Sequence, residues 1–210
     1  MSEISKIINK DISNISKISE FDKSNLNTVS NISLTSSFNA TYWDAASAGN
    51  DVVVTDLYQV FTPNRDACKT VLGVSSGKYY CEFLVVQVGY LIIGVCDPLT
   101  ILEANVIASE NMPTWDVWGN RIYSVSTADT TGISDVIADD IISMAMDFDN
   151  KQIEFFLNDV SVGIGAWATE ETGHVVMGGR NSADTTIIAN FGQSPFEFNV
   201  PSGFTPGFGV

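Results

Sequence analysis

The chain is poor in the residues that carry most enzyme and metal chemistry. One histidine, His174, stands in 210 residues, which leaves little material for a Ser–His–Asp arrangement or a His-rich zinc site. Three cysteines, Cys68, Cys81 and Cys96, are odd in number and lack metal-ligand spacing. A small oxidised scaffold would carry more of them, in pairs, so reduced and mostly buried thiols are expected. Positive charge is scarce: 10 Lys and Arg against 25 Asp and Glu give −15. A field of that sign repels phosphate backbones and anionic lipid, so no nucleic-acid partner is expected. Long apolar runs are also missing. The longest, residues 84–95, is broken by Gln87 and Gly89 and is too short to span a bilayer, so no membrane insertion is expected. The chain opens without the apolar stretch of a signal peptide.

What remains is enough for a core. Hydrophobic residues make up 45% and charged residues 17%, and the length suits one domain plus an appendage. The composition divides near residue 34. Residues 1–33 hold eight Ser, seven Ile and five Asn, with no Gly, Pro, Trp or Tyr. Four Lys balance four acids there, so the whole imbalance, 6 basic minus 21 acidic, falls in residues 34–210. Ile-Ser-Lys-Ile recurs at 4–7 and 15–18, and Ser-Asn-Ile-Ser at 13–16 and 30–33. Ile4, Ile7, Ile8, Ile12, Ile15 and Ile18 fall near helical spacing, yet Ser, Asn and β-branched Ile are weak helix formers. Alone, the segment buries too little to offset its ordering entropy. It is therefore expected to be a docking arm, extended or partly helical, that orders on another chain through those six isoleucines.

From residue 34 onward the texture is β. Residues 78–88 alternate, with Tyr79, Cys81 and Phe83 on one face and Lys78, Tyr80 and Glu82 on the other. A turn at Gly89 leads into 91–96, stopped by Asp97-Pro98. Residues 141–148 set Ile142, Met144, Met146 and Phe148 against Ser143, Ala145 and Asp147. Further strands are expected at 153–157, 160–163, 174–177 and 185–191. Many short strands with frequent turns and no helical period predict an all-β, two-sheet antiparallel sandwich over 34–210. Its closing area comes from Phe191, Phe196, Phe198, Phe204 and Phe208. Trp43 and Trp167 read as core or sheet-edge covers.

Several of these segments resemble the SPRY domain family, in family order, over about residues 41–208. Ser76-Gly-Lys-Tyr-Tyr-Cys-Glu-Phe83 resembles its "GKYYFEV" strand, and Leu91-Ile-Ile-Gly-Val-Cys-Asp97 the strand that follows. Trp118-Gly-Asn-Arg-Ile-Tyr123 is similar to "swGydg…k.y". Asp140-Ile-Ile-Ser-Met-Ala-Met-Asp-Phe-Asp-Asn150 with Ile153-Glu-Phe-Phe-Leu-Asn158 resembles "GDvIgvalDldngtisFylNG". Asn190-Phe-Gly-Gln193, Pro195-Phe196 and Pro201-Ser-Gly-Phe204 resemble the closing "nfGq.pFky.pp.Gf". Asp139-Asp140, Lys151 and Asn158-Asp159 depart from it where glycine is usual. Asn and Asp tolerate positive φ, so those turns are expected to survive. The resemblance implies a non-enzymatic SPRY/concanavalin-like sandwich that presents loops for binding. The repeats of residues 1–33 resemble the "ISKVNG…IANISKING" phrases found at the start of tailed-phage structural proteins.

Few residues suggest chemistry. Asp147-x-Asp149-Asn150 spaces oxygen ligands as a calcium loop does, but Asn158 stands where an EF-hand needs its twelfth-position acid. A hairpin turn is the expected use, with no metal and no cofactor. Asp139-Asp140 and Glu170-Glu171 read as solvated loops, and Gly178-Gly179-Arg180 as a turn between strands. Residues 112–121 form a turn-rich segment with two tryptophans and the polar tips of Asp116, Asn120 and Arg121, as sugar- or peptide-binding loops use. Trp115, Asp116, Trp118, Asn120 and Arg121 are the candidate binding residues. Trp118 is expected in the core; for Trp115, Asp116 and Arg121 packing and binding both stand.

Three functions follow. The first is a phage virion structural protein, made in the host cytoplasm. Its arm would join other virion proteins, and its sandwich would be displayed as a decoration or fibre head, as a homo-oligomer. The second is a receptor-binding, lectin-like tail module that meets a host-surface protein or glycan. The third is a sandwich-fold hydrolase built on Asp147 and Asp149.

Overall fold

A computed structural model describes residues 41–62, 66–99, 112–124, 129–168, 172–179 and 183–209. The chain divides into two units, Met1–Ser37 and Phe38–Val210. The proposed docking isoleucines and Glu170-Glu171 lie outside the described residues.

The described part of Phe38–Val210 consists of strands and turns in two sheets. One sheet orders β1 (Val53–Thr55), β2 (Gln59–Thr62), β13 (Thr185–Asn190), β4 (Lys78–Gln87), β9 (Ile141–Asp147), β10 (Gln152–Leu157) and β11 (Val160–Ala166). The short β14 (Thr205–Pro206) runs parallel to β4 beside Tyr79 and Tyr80, on the edge that β13 occupies further along. The other sheet orders β3 (Ala67–Lys69), β12 (His174–Gly179), β5 (Leu91–Cys96), β6 (Thr114–Asp116), β7 (Arg121–Tyr123) and β8 (Thr130–Thr131). All pairings except that of β14 are antiparallel.

Alternation builds the core. Cys81, Phe83 and Val85 of β4, Met144 and Met146 of β9, and Phe155 of β10 join Leu91, Ile93, Val95 and Trp115 of the second sheet in one buried cluster. Trp115 meets Phe155 edge-on at 6.1 Å between the sheets. Trp43 is buried against Phe191 at 5.1 Å and donates its indole N–H to the Tyr58 carbonyl at 2.9 Å. Trp167 packs on Phe148 at 5.5 Å. Of the C-terminal phenylalanines, Phe191 and Phe208 enter the core, whereas Phe196, Phe198 and Phe204 are half-buried. Cys68, Cys81 and Cys96 are buried free thiols; burial pushes the Cys68 thiol up to about 12.

Two expectations need correction. Residues 114–116 and 121–123 are strands β6 and β7, not a turn-rich segment throughout. Three-residue strands are too short to show a period of two, and pairing with β5 decides their state. Gly178-Gly179 is the end of β12, not a turn. A Cβ on Gly178 would lie 2.8 Å from Ala67 Cβ, so close strand packing explains that glycine. The departures from glycine hold as expected: Asp139, Lys151, Asn158 and Asp159 all take positive φ, at 71°, 56°, 48° and 66°.

Candidate functional site

The registers decide which turns share an end of the sandwich. Leu84 faces Ile141, and Ile142 faces Leu157; in the other sheet Leu91 faces Gly179, Ile92 faces Asp116, and Asp116 faces Arg121. The β4–β5 turn (88–90) joins these two rows. The β6–β7 turn (117–120), the segment 132–140 and the β10–β11 turn (158–159) therefore gather at one rim.

Hydrogen bonds knit that rim together. The Val117 N–H donates to the Leu91 carbonyl at 2.9 Å, and the Gly119 N–H to Asp116 Oδ1 at 3.0 Å. Asn120 sits at φ 50° and donates from Nδ2 to Asp135 Oδ1 at 2.8 Å. Asn158 Nδ2 donates to Asp140 Oδ1 at 2.7 Å, while its Oδ1 accepts the Ile141 N–H at 2.9 Å.

The candidate residues fall into two groups. Trp115 and Asp116 are fully buried, so Trp115 fills the core and Asp116 shapes the turn from within. Trp118 is 57% exposed, which corrects its expected place in the core. It lies in the turn beyond the last paired residue of β6, Asp116, and it packs on Tyr90 at 4.7 Å between ring centroids. Arg121 is exposed, lies 4.6 Å over the Tyr123 ring and pairs with Asp129 through Nε and Nη2. The Ser124 N–H and Arg121 together hold the Asp129 carboxyl below its ordinary value, against burial. Tyr90 was not visible as a candidate in the sequence. It is separated from Trp118 by 28 positions, and only the shared rim brings them together.

The carboxylates that suggested metal or hydrolytic chemistry are engaged in turns. Asp147 accepts from Asn150 N at 2.9 Å and Nδ2 at 2.7 Å and pairs with Lys78 at 2.7 Å. Burial would raise its carboxyl, but the Lys78 and Asn150 contacts outweigh that and hold it low. Asp149 Oδ1 accepts the Gly77 N–H at 2.8 Å. Among the described residues no group of three acids, histidines or cysteines is placed to hold a metal ion.

Apart from the rim, a cleft of about 190 Å³ lies on the outer face of the first sheet over Leu84, Ile141 and Ile188. Its buried wall residue Glu82 accepts the Glu197 and Phe198 N–H groups at 2.8 and 2.9 Å and the Tyr80 hydroxyl at 3.0 Å.

The comparisons with known proteins agree with this architecture. The SPRY domain of human HERC1 superposes with a TM-score of 0.56 at 16% identity, over 73% of this chain and 99% of that one. The PSpry domain of TRIM65 gives 0.56 at 11% identity, over 72% and 89%. Stonustoxin gives 0.55 at 11% identity, over 71% of this chain and 28% of its own. The sequence matches no protein-family model and no curated protein. The chain thus contains a SPRY-like β-sandwich.

Proposed function

We propose that this chain is a non-enzymatic binding component of a phage particle. Residues 1–33 dock it on other virion proteins, and the SPRY-like sandwich is displayed outward with its Tyr90–Trp118 rim as the contact surface. The observation that carries the binding reading is the exposure of Trp118 on a turn that Asp116 and the Asn120–Asp135 hydrogen bond hold in shape. A large aromatic stacked on a second ring supplies contact area at low ordering cost. The carboxylates that a hydrolase would need are committed to turns, which supports a module that recognises rather than cleaves. The virion setting rests on the repeated Ile-Ser-Lys-Ile and Ser-Asn-Ile-Ser phrases and on the neutral charge of an arm joined to a strongly acidic domain.

Two measurements test this. Removing residues 1–33 is expected to leave a folded sandwich that no longer joins particles; incorporation at the wild-type level overturns the docking role. Host-cell and glycan-panel binding is expected to disappear in Trp118→Ala with the melting temperature kept. Wild-type protein that binds neither surface overturns the rim reading. A host-surface glycan is one ligand class an indole face can serve, since the ring covers apolar sugar CH groups.

A further inference from the structure

We infer that the rim recognises a cationic protein segment, with an arginine or lysine side chain laid over the Tyr90–Trp118 pair. This deepens the proposed binding role and rests on it. The argument is one of charge placement, which the composition could not supply. Among the described residues the charges are not spread evenly over the two ends of the sandwich. Asp135, Asp139, Asp159 and Asp184 are all exposed on turns and segments that the strand registers bring to the end carrying Trp118. The described cation at that end, Arg121, is already neutralised by Asp129. Lys78, paired with Asp147, and Lys151 stand at the opposite end, where β9 passes into β10.

An indole face attracts a guanidinium or ammonium group through its quadrupole, most strongly when the rest of the site is anionic. Exposed carboxylates around such a face steer a basic partner in and repel an acidic one. Ile137, on the same segment as Asp135 and Asp139, is 65% exposed and offers an apolar contact for the stem of a long side chain. The surface therefore pairs an aromatic platform with negative charge, which fits basic peptide better than neutral sugar.

The test uses the full chain with fluorescein-labelled octa-arginine, octa-lysine and octa-glutamate peptides, followed by anisotropy at 50 and 300 mM NaCl. Octa-arginine is expected to bind more tightly than octa-lysine, and octa-glutamate not to bind. Raising the salt is expected to weaken binding at least tenfold. Trp118→Ala, and separately the triple variant Asp135→Asn, Asp139→Asn, Asp159→Asn, are each expected to lose at least tenfold in affinity. Their melting temperatures should stay close to the parent value, which excludes unfolding as the cause. No octa-arginine binding at 1 mM, or binding indifferent to both variants, overturns the inference. If Trp118→Ala abolishes cell or glycan binding while the triple variant and salt leave it unchanged, the rim reading stands and the cationic class falls.

Discussion

Glu82 and Phe198 are 116 positions apart, yet the Glu82 carboxylate accepts the Phe198 N–H at 2.9 Å and the neighbouring Glu197 N–H at 2.8 Å. A buried strand carboxylate thus anchors the segment after β13 to the outer face of the first sheet. Tyr80 adds its hydroxyl, and Phe196 packs edge-on against Tyr80 at 5.2 Å.

Glu82→Ala should therefore destabilise the domain well beyond an ordinary surface change. It strands two backbone donors and one hydroxyl, each worth about 1–3 kcal/mol when buried and unsatisfied. Part of that is recovered if water reaches the segment, so a loss of about 2–4 kcal/mol is expected from urea unfolding. A loss below about 0.5 kcal/mol would mean that this anchor is dispensable.

Trp115 and Trp118 should separate cleanly under the same substitution. Trp115→Ala empties a fully buried site against Phe155 and should cost about 3–5 kcal/mol. Trp118→Ala removes a ring that is more than half in solvent and should stay within about 1 kcal/mol. Equal losses in chemical denaturation would show that the two side chains do not occupy different environments.

That pair also shows where reading the sequence succeeds and where it stops. Strands β4 and β9 were legible because six or more residues alternate in polarity and end at turn residues, so the faces of Tyr79–Phe83 and Ile142–Met146 could be assigned directly, and β5 because it is a short unbroken apolar run bounded by Gly89 and Asp97-Pro98. Strands β6 and β7 have three residues each, too few for a period to tell which of two tryptophans three positions apart is interior, and the family motif pointed to Trp118, the wrong one. Which one is interior depends on where the turn begins, and pairing of Asp116 with Ile92 and Arg121 fixes that. The Tyr90–Trp118 contact and the acidic rim were invisible for a further reason: both arise from strand order, which brings together turns that are far apart in the chain.

Two glycines should fail for different reasons. A Cβ at Gly94 would lie 2.5 Å from the Pro113 carbonyl oxygen and 2.7 Å from Thr114 Cα. Both belong to backbone at the β5–β6 pairing, so Gly94→Ala must push the strands apart, and a loss of more than about 3 kcal/mol or insoluble protein is expected. Gly203 has open space around it but φ of 88°, so Gly203→Ala should cost only about 1–2 kcal/mol. A Gly94→Ala variant with an unchanged melting temperature would contradict the close approach of β5 and β6.

Stability should fall on acidification in two separate steps. Burial lowers the pKa of His174, whose Nδ1 donates to the Thr70 carbonyl at 2.8 Å. The unfolded chain then takes up a proton near its ordinary pKa of about 6.5 while the folded chain does not, so stability is lost as the pH drops below that value. His174→Gln, which can keep a donor toward Thr70, should flatten the slope between pH 7 and 5. Asp147 acts lower on the scale. Its depressed carboxyl stabilises the fold above the ordinary value of about 3.9, and that contribution disappears as the pH falls through the folded value. Lys78→Met should therefore reduce the acid sensitivity below pH 4 and leave the upper step untouched. Melting curves from pH 3 to 8 that show the same slope in both variants and the parent would refute the assignment.

The last prediction concerns the turns that depart from glycine. Asn158 and Asp159 form a two-residue connection between β10 and β11 with φ of 48° and 66°, the geometry in which Asn-Gly is the preferred pair. Asp tolerates that region better than most residues but still carries a Cβ against the following carbonyl. Asp159→Gly relieves that strain, and the greater freedom of glycine in the unfolded chain offsets part of the gain. A net stabilisation of about 0.5 kcal/mol is expected. Lys151 at φ 56° lacks the short polar side chain that eases the conformation, so Lys151→Asn should gain at least as much without the entropic offset. Unfolding midpoints in urea should rise for both variants with unchanged slopes. A fall in either would mean that the native side chain makes contacts outweighing its backbone strain.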